Sequence, residues 1–149
     1  MFKKILVPLD GSDLAESVLP HVRALAKCTG AEVSLLRVVS LPVSAYMVAA
    51  DPRLAAEAQD EAEIEALSYL WRIGASVKAD GIQVSTDISN GMIAETIHDF
   101  AKNIHADLIA MSTHGRGGLA RLVIGSVADQ VVRNSQVPLL LVLPQQGKN

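Results

Sequence analysis

The chain carries a single cysteine among 149 residues, which excludes an internal disulfide and with it the stapled scaffolds of small secreted domains. That usage suits a reducing compartment, and a cytoplasmic location is the expectation. Aromatic side chains make up only 3% of a chain that is 50% apolar, so the core has to be assembled from Ala, Val, Leu and Ile. Positive charge is not in excess: 13 Lys and Arg stand against 16 Asp and Glu, a formal net charge of −3. With no basic field and no Lys/Arg cluster, a nucleic-acid partner is not expected. No apolar run approaches the roughly 20 residues that a membrane span requires. The opening Met1-Phe-Lys-Lys-Ile-Leu-Val-Pro-Leu-Asp10 resembles a signal peptide only superficially. Asp10 breaks the apolar stretch and no small-residue cleavage site follows, so a buried strand is expected there.

What is present is a regular alternation of short apolar runs and helical patterns, the signature of parallel βα units. The length suits one domain with a sizeable core, expected over residues 1–144 with a polar tail at 145–149. Ile5-Leu-Val-Pro-Leu9 is apolar on both faces, as a central parallel strand should be. Asp13 and Glu16 have capping-box spacing. Leu14, Val18, Leu19, Val22, Leu25 and Ala26 then follow a helical period up to Gly30. Cys28 falls on the apolar side of that helix and is expected to be a buried small hydrophobe. Residues 33–39 form the second strand. A long helix starts near Leu54 with Ala58, Ala62, Leu67, Leu70, Ile73 and Val77 inward, and Gly81 marks its end. Trp71 is expected to pack within it.

Ile82, Val84, Thr86 and Ile88 alternate with polar residues, as in a half-exposed outer strand. Asn90-Gly91 turns the chain into a helix carrying Ile93, Ile97, Phe100, Ala101 and Ile104. Residues 108–111, 126–134 and 137–143 supply a fourth strand, a last helix and a fifth strand. These elements predict an open five-stranded parallel α/β sheet of order 3-2-1-4-5 with helices on both faces, a Rossmann-like architecture. The irregular segment 41–53, with two prolines and Tyr46, Met47 and Val48, reads either as a lid or partner contact or as a passive flap. Pro138-Leu-Leu-Leu-Val-Leu143 has only a polar tail after it and would lie on a sheet edge, so a homodimer through this strand is expected.

The densest concentration of glycine is Met111-Ser-Thr-His-Gly-Arg-Gly-Gly-Leu-Ala-Arg-Leu-Val-Ile-Gly-Ser126. It follows a strand and leads into a helix. Its glycines let backbone amides turn toward one point, and a helix N-terminus adds about half a positive charge, so the place wants an anion such as phosphate. No lysine lies between Met111 and Ser126, which rules out the Walker pattern. Gly115, Gly117 and Ala120 meet the loose dinucleotide pattern, but after the fourth strand, without an immediate helix and without the acid that should follow. A nicotinamide or flavin site is therefore not expected.

The segment closely resembles the nucleotide loop of the universal stress protein family, whose ATP-binding members carry Gly-x-x-Gly, nine residues, then Gly-Ser or Gly-Thr. Here Ser112-Thr-His-Gly115 is followed by nine residues and Gly125-Ser126. Ile5-Leu-Val-Pro-Leu-Asp-Gly-Ser12, Leu35-Leu-Arg-Val-Val39, Ala106-Asp-Leu-Ile-Ala-Met-Ser112 and Val137-Pro-Leu-Leu-Leu-Val142 resemble the family's first, second, fourth and closing strands, the last being the one through which members commonly dimerise. Ser112 departs from the strictest motif, which has glycine there. The resemblance implies an adenine-nucleotide site, for ATP, ADP or AMP. Pro8, Leu9 and Asp10 would lie beside adenine and ribose, and Val38 would pack on the adenine. Met111, Ser112, His114 and Gly115 would line the ribose and first phosphates, with Gly125, Ser126 and Val127 at the later ones.

Plainer roles stand beside these. Asp10 caps the turn into the first helix or meets the ligand, and Ser126 with Asp129 satisfies a helix cap without any ligand. His114 is a loop residue or a ligand contact; Arg116 and Arg121 are phosphate partners or solvated. His98 and His105 are seven apart, the wrong spacing for metal ligands on adjacent turns. Phosphoryl transfer needs a placed base and usually a metal on carboxylates, and no dedicated carboxylate pair is offered. Any Mg²⁺ or Mn²⁺ would be held mainly through the phosphates. The expectation is a stress-response binding module acting as a nucleotide-dependent switch, with phosphate ordering the Gly115–Gly125 loop. A nucleotide-independent dimeric scaffold is the alternative and a slow ATPase the third reading.

Overall fold

β1 (Lys4–Pro8) is buried through its three middle residues, and its two neighbours β2 (Glu32–Val39) and β4 (Leu108–Ser112) both run parallel to it. β3 (Val84–Asn90) extends the sheet beyond β2, and β5 (Leu139–Val142) extends it beyond β4. The order is β3-β2-β1-β4-β5, all parallel, as expected. The structure, a computed structural model, describes residues 1–40, 51–114 and 124–144. Residues 41–50, Gly115, Arg116, Arg121 and the tail 145–149 lie outside the described residues.

Strand alternation divides the core in two. Ile5, Val7, Val33 and Leu35 face one layer, with Val22 and Ala26 of helix α2 (Leu19–Thr29) and Leu70, Ile73 and Val77 of helix α3 (Pro52–Lys78). Leu6, Leu36, Ile109 and Met111 face the other, with Ile97 and Ala101 of α4 (Ile93–Asn103) and Ala128 and Val131 of α5 (Ser126–Asn134). Being covered on both sides is why β1, β2 and β4 read as nearly continuous apolar runs. β3, on an edge, is partly buried along most of its length.

Several local expectations are corrected. The first helical stretch is two helices, a short α1 (Asp13–Glu16) and then α2. Pro20 has no amide to give the carbonyl of Glu16, so the ladder stops, and the same proline is acceptable in the first turn of a new helix. The cap of α1 is Ser12, whose hydroxyl accepts the Ala15 amide at 3.1 Å, rather than Asp13. Gly30 closes α2 in the left-handed conformation (φ 71°), as its position suggests. α3 begins at Pro52, with the Asp51 carboxylate accepting the Arg53 amide at 2.9 Å, so residues 51–53 belong to a helix start and not to an irregular insertion. Cys28 is exposed, Leu67 is exposed while Ala66 takes the inner position, and Trp71 is 76% exposed. The apolar periodicity of α3 is wide enough to allow several orientations, and Leu70, Ile73 and Val77 won the sheet.

Candidate functional site

Pro8 pairs with Leu36 across β1 and β2, and Leu6 with Ile109 across β1 and β4. Continuing that register brings Pro8, Leu9 and Asp10, Val38, and Met111 and Ser112 to the carboxyl edge of three adjacent strands. The order of the sheet reverses between β1 and β4, and in open α/β sheets that is where ligands bind.

Asp10 follows β1 and Gly11, which takes a positive φ of 84°. One of its carboxylate oxygens accepts both the Ser12 amide at 2.9 Å and the Ser12 hydroxyl at 2.6 Å. Asp10 thus shapes the turn into α1, its plainer role, while lying at the crevice. Nearby, the Tyr69 ring has the Arg37 and Arg72 guanidiniums 5.7 and 5.4 Å from its centroid. Burial, followed by the Glu16 charge, pushes the Tyr69 hydroxyl well above its usual range.

The other side of the crevice is built by the end of β4. Met111, Ser112 and Thr113 are buried. The Thr113 amide donates to the Val142 carbonyl at 2.9 Å, so β5 fixes the height of this turn. The Ser112 hydroxyl accepts the His114 amide at 3.3 Å. Thr113 Oγ1 lies 2.9 Å from His114 Nδ1 and sets the plane of the imidazole. His114 Nε2 is buried with no hydrogen-bond partner among the described residues. A buried ring nitrogen without a partner carries a desolvation cost that a ligand oxygen would relieve.

The chain returns to this point at Gly125, whose amide donates to the Thr113 carbonyl at 2.8 Å. A Cβ on Gly125 would sit 3.0 Å from that carbonyl oxygen, so the second motif glycine has a packing reason of its own. Its carbonyl accepts the Asp129 amide at 2.9 Å and opens α5. Gly125, not Ser126, is therefore the N-cap, and no side chain caps the helix. The cap expected from Ser126 with Asp129 does not form, because the helix starts one residue earlier and Ser126 is already in its first turn; the Asp129 carboxylate pairs instead with Arg133 at 2.8 Å. That pairing holds the Asp129 carboxyl below its ordinary value. The first amides of a helix have no intrahelical partner, so those of Ser126 and Val127 stay directed out of α5, next to Thr113 and His114, with the positive end of the helix dipole.

Among the described residues, β4, β5 and α5 bring together Ser112, His114, Gly125, Ser126 and Val127, and β1 and β2 bring Pro8, Leu9, Asp10 and Val38 to the same edge. Gly115 and Arg116 fall outside the described residues. Thr113 was missed by sequence reasoning although it lies inside the motif. Its side chain, amide and carbonyl orient His114, anchor to β5 and receive Gly125, and the signal available was only its place between two site residues. The described residues contain no group of three or more His, Cys, Asp or Glu able to hold a metal ion, and no helix long and apolar enough to cross a membrane.

A family model described as the universal stress protein family matches residues 1–142. Universal stress protein MJ0531 of Methanocaldococcus jannaschii is 34% identical over 143 residues, covering 95% of this chain and 82% of the relative. Among solved structures, that of protein MJ0577, a universal stress protein of the same organism, superposes with a TM-score of 0.87 at 31% identity over 99% of each chain. The universal stress protein from Archaeoglobus fulgidus in complex with dAMP shares the fold at a TM-score of 0.67, with 23% identity over 95% of this chain and 97% of the other.

Proposed function

The chain belongs to the universal stress protein family, and from that premise we propose that it is an adenine-nucleotide-binding stress-response module of the cytoplasm. The observation that carries the reading is the uncapped N-terminus of α5 beside the buried, unpartnered Nε2 of His114. Backbone amides there suit phosphate oxygens, and the imidazole suits a ribose or phosphate oxygen. The dAMP held by the Archaeoglobus fulgidus relative supports an adenine nucleotide as the guest. ATP or AMP would lie with adenine over Val38 and against Pro8, Leu9 and Asp10. A Mg²⁺ or Mn²⁺ ion accompanying ATP would be held through the phosphates, which supply the hard oxygen ligands such ions require. Phosphate at α5 would act on the segment from Gly115 to the helix, making nucleotide occupancy a switch for shape or partners.

Melting temperatures with and without millimolar ATP, ADP or AMP and Mg²⁺ test this. Ligand at about 100 times its dissociation constant stabilises by roughly 2.7 kcal/mol, several degrees in a domain of this size. No shift with any of the three overturns the proposal in favour of a nucleotide-independent scaffold. The Ser112 hydroxyl, which already occupies the His114 amide, is the feature favouring that alternative. A slow ATPase is tested by phosphate release over hours in the wild type and in His114→Ala; equal rates, matching buffer, dispose of it.

We also propose a homodimer through the outer edge of β5. Pro138 and Val142 direct their carbonyls to β4. Alternation along a strand then turns the amide and carbonyl of Leu139 and Leu141 away from the sheet, where a second copy of the strand can pair. Leu141→Pro removes an outward donor and leaves the β4 ladder bonded. The expected result is a monomer by sedimentation at micromolar concentration, with circular dichroism unchanged. A dimer persisting in that variant places the interface elsewhere.

A further inference from the structure

α3 is apolar on two sides. Ala66, Leu70, Ile73, Gly74 and Val77 are buried against the sheet, whereas Ile64, Leu67 and Trp71 are 67%, 43% and 76% exposed. With Ala75 they recur at spacings of three and four residues, which at 3.6 residues per turn places them in one stripe on the solvent side. Leu67, Ser68, Trp71, Arg72 and Ala75 enclose an open groove of about 460 Å³. Three large apolar side chains in register on an exposed helix face mark an interaction surface rather than scattered surface residues.

Charge along the helix selects the occupant. The first part of the stripe is flanked by Glu57, Asp60 and Glu61, whereas from 66 to 79 the only charged residues are Lys78 and Arg72, the latter paired with Glu16 at 3.5 Å. A surface acidic at one end and basic at the other is complementary to itself when reversed. We infer that the Ile64–Leu67–Trp71 stripe is a self-association surface on which α3 of a second copy packs antiparallel, about a two-fold axis between Leu67 and Ser68.

That register sets Trp71 of one copy against Ile64 of the other, and Leu67 against Ser68, so the groove receives the second copy's Ile64 and Leu67 as knobs. It also sets Lys78 against Glu57, twice by symmetry. The paired region, residues 57–78, is about 32 Å long at 1.5 Å per residue. α3 covers β2 and β3, so this surface lies away from β5 and the two contacts are compatible. An anionic membrane fits less well, because the three acids beside the stripe would face its headgroups.

The only tryptophan in the chain lies in the stripe, so its fluorescence reads the contact directly. With the full chain, Trp71 emission is expected to shift to the blue as concentration rises from micromolar toward millimolar, in parallel with the sedimentation mass. Ile64→Glu, at an exposed position, should abolish the shift while leaving circular dichroism unchanged. Lys78→Glu should weaken association by about tenfold, since two symmetric pairs turn repulsive, and Glu57→Lys/Lys78→Glu should restore it. The same behaviour is expected in the Leu141→Pro background, which separates this contact from the strand edge. The inference is overturned by emission that stays that of an exposed indole at every concentration. It is equally overturned by a blue emission independent of concentration, or by a shift that survives Ile64→Glu.

Discussion

The amide of Gly125 donates to the carbonyl of Thr113 across 2.8 Å. This bond joins the end of β4 to the start of α5 and sets the uncapped helix terminus beside His114. Two residues twelve apart in sequence thus define the geometry of the candidate site.

Gly125 has little room: a Cβ would meet the Thr113 oxygen at 3.0 Å. Gly125→Ala should therefore lower the melting temperature by several degrees, since overpacking costs about 1–3 kcal/mol against a smaller unfolded-state gain. Nucleotide affinity should fall as well, because the amides of Ser126 and Val127 move with the displaced turn. Calorimetry with and without nucleotide checks both. An unchanged melting temperature would mean that the turn gives way freely.

His114→Ala removes the buried Nε2 that lacks a partner. At about 0.5–1.5 kcal/mol for one hydrogen bond, nucleotide should bind roughly two- to tenfold more weakly. Thr113→Val, which releases the ring from Oγ1, should give a smaller loss. Titration calorimetry on the three proteins provides the ranking, and equal affinities would remove the imidazole from the site.

Gly74 lies inside α3, where glycine costs roughly 1 kcal/mol relative to alanine, yet a Cβ there would come 3.0 Å from the Thr86 γ-methyl. Gly74→Ala alone should destabilise. In a Thr86→Ser background, which deletes that methyl, the same substitution should stabilise. Urea midpoints for the four combinations form the cycle, and additive effects would contradict this account of the glycine.

Asp80 accepts Lys27 Nζ at 3.0 Å and also pairs with Arg23, and these hydrogen bonds hold its carboxyl below the ordinary value. A depressed carboxyl pKa contributes stability that is present above the unfolded value near 4 and is lost as pH falls through the folded one. Asp80→Asn should therefore melt below the wild type at neutral pH, with the gap closing as pH drops below about 4. A gap constant from pH 7 to 3 would show that the charge is not what matters.

Much of this was legible beforehand. β1, β2 and β4 announce themselves as apolar runs because strands covered on both faces must exclude polar side chains. The position of α5 also follows from the pattern, whereas the strand order rests on the resemblance to the universal stress protein family as well. Less legible was the cap of α5. Ser126 and Asp129 have the right spacing to cap, but the bond from Gly125 to Thr113 starts the helix one residue earlier and leaves Ser126 inside its first turn. The break between α1 and α2 was visible in Pro20 only in retrospect, since apolar spacing alone runs straight through it.

Local periodicity and residue chemistry, both properties of neighbours along the chain, were sufficient for the α/β architecture and for the carboxyl-edge location of Pro8, Asp10, Val38, Ser112 and His114. Which way each helix rolls, and so whether Trp71 and Cys28 face the core or the solvent, was decided only when α2 and α3 settled on the sheet. The same holds for the return of Gly125 onto Thr113. Contacts between residues distant along the chain depend on shape and volume on both sides, and those exist only in the folded molecule.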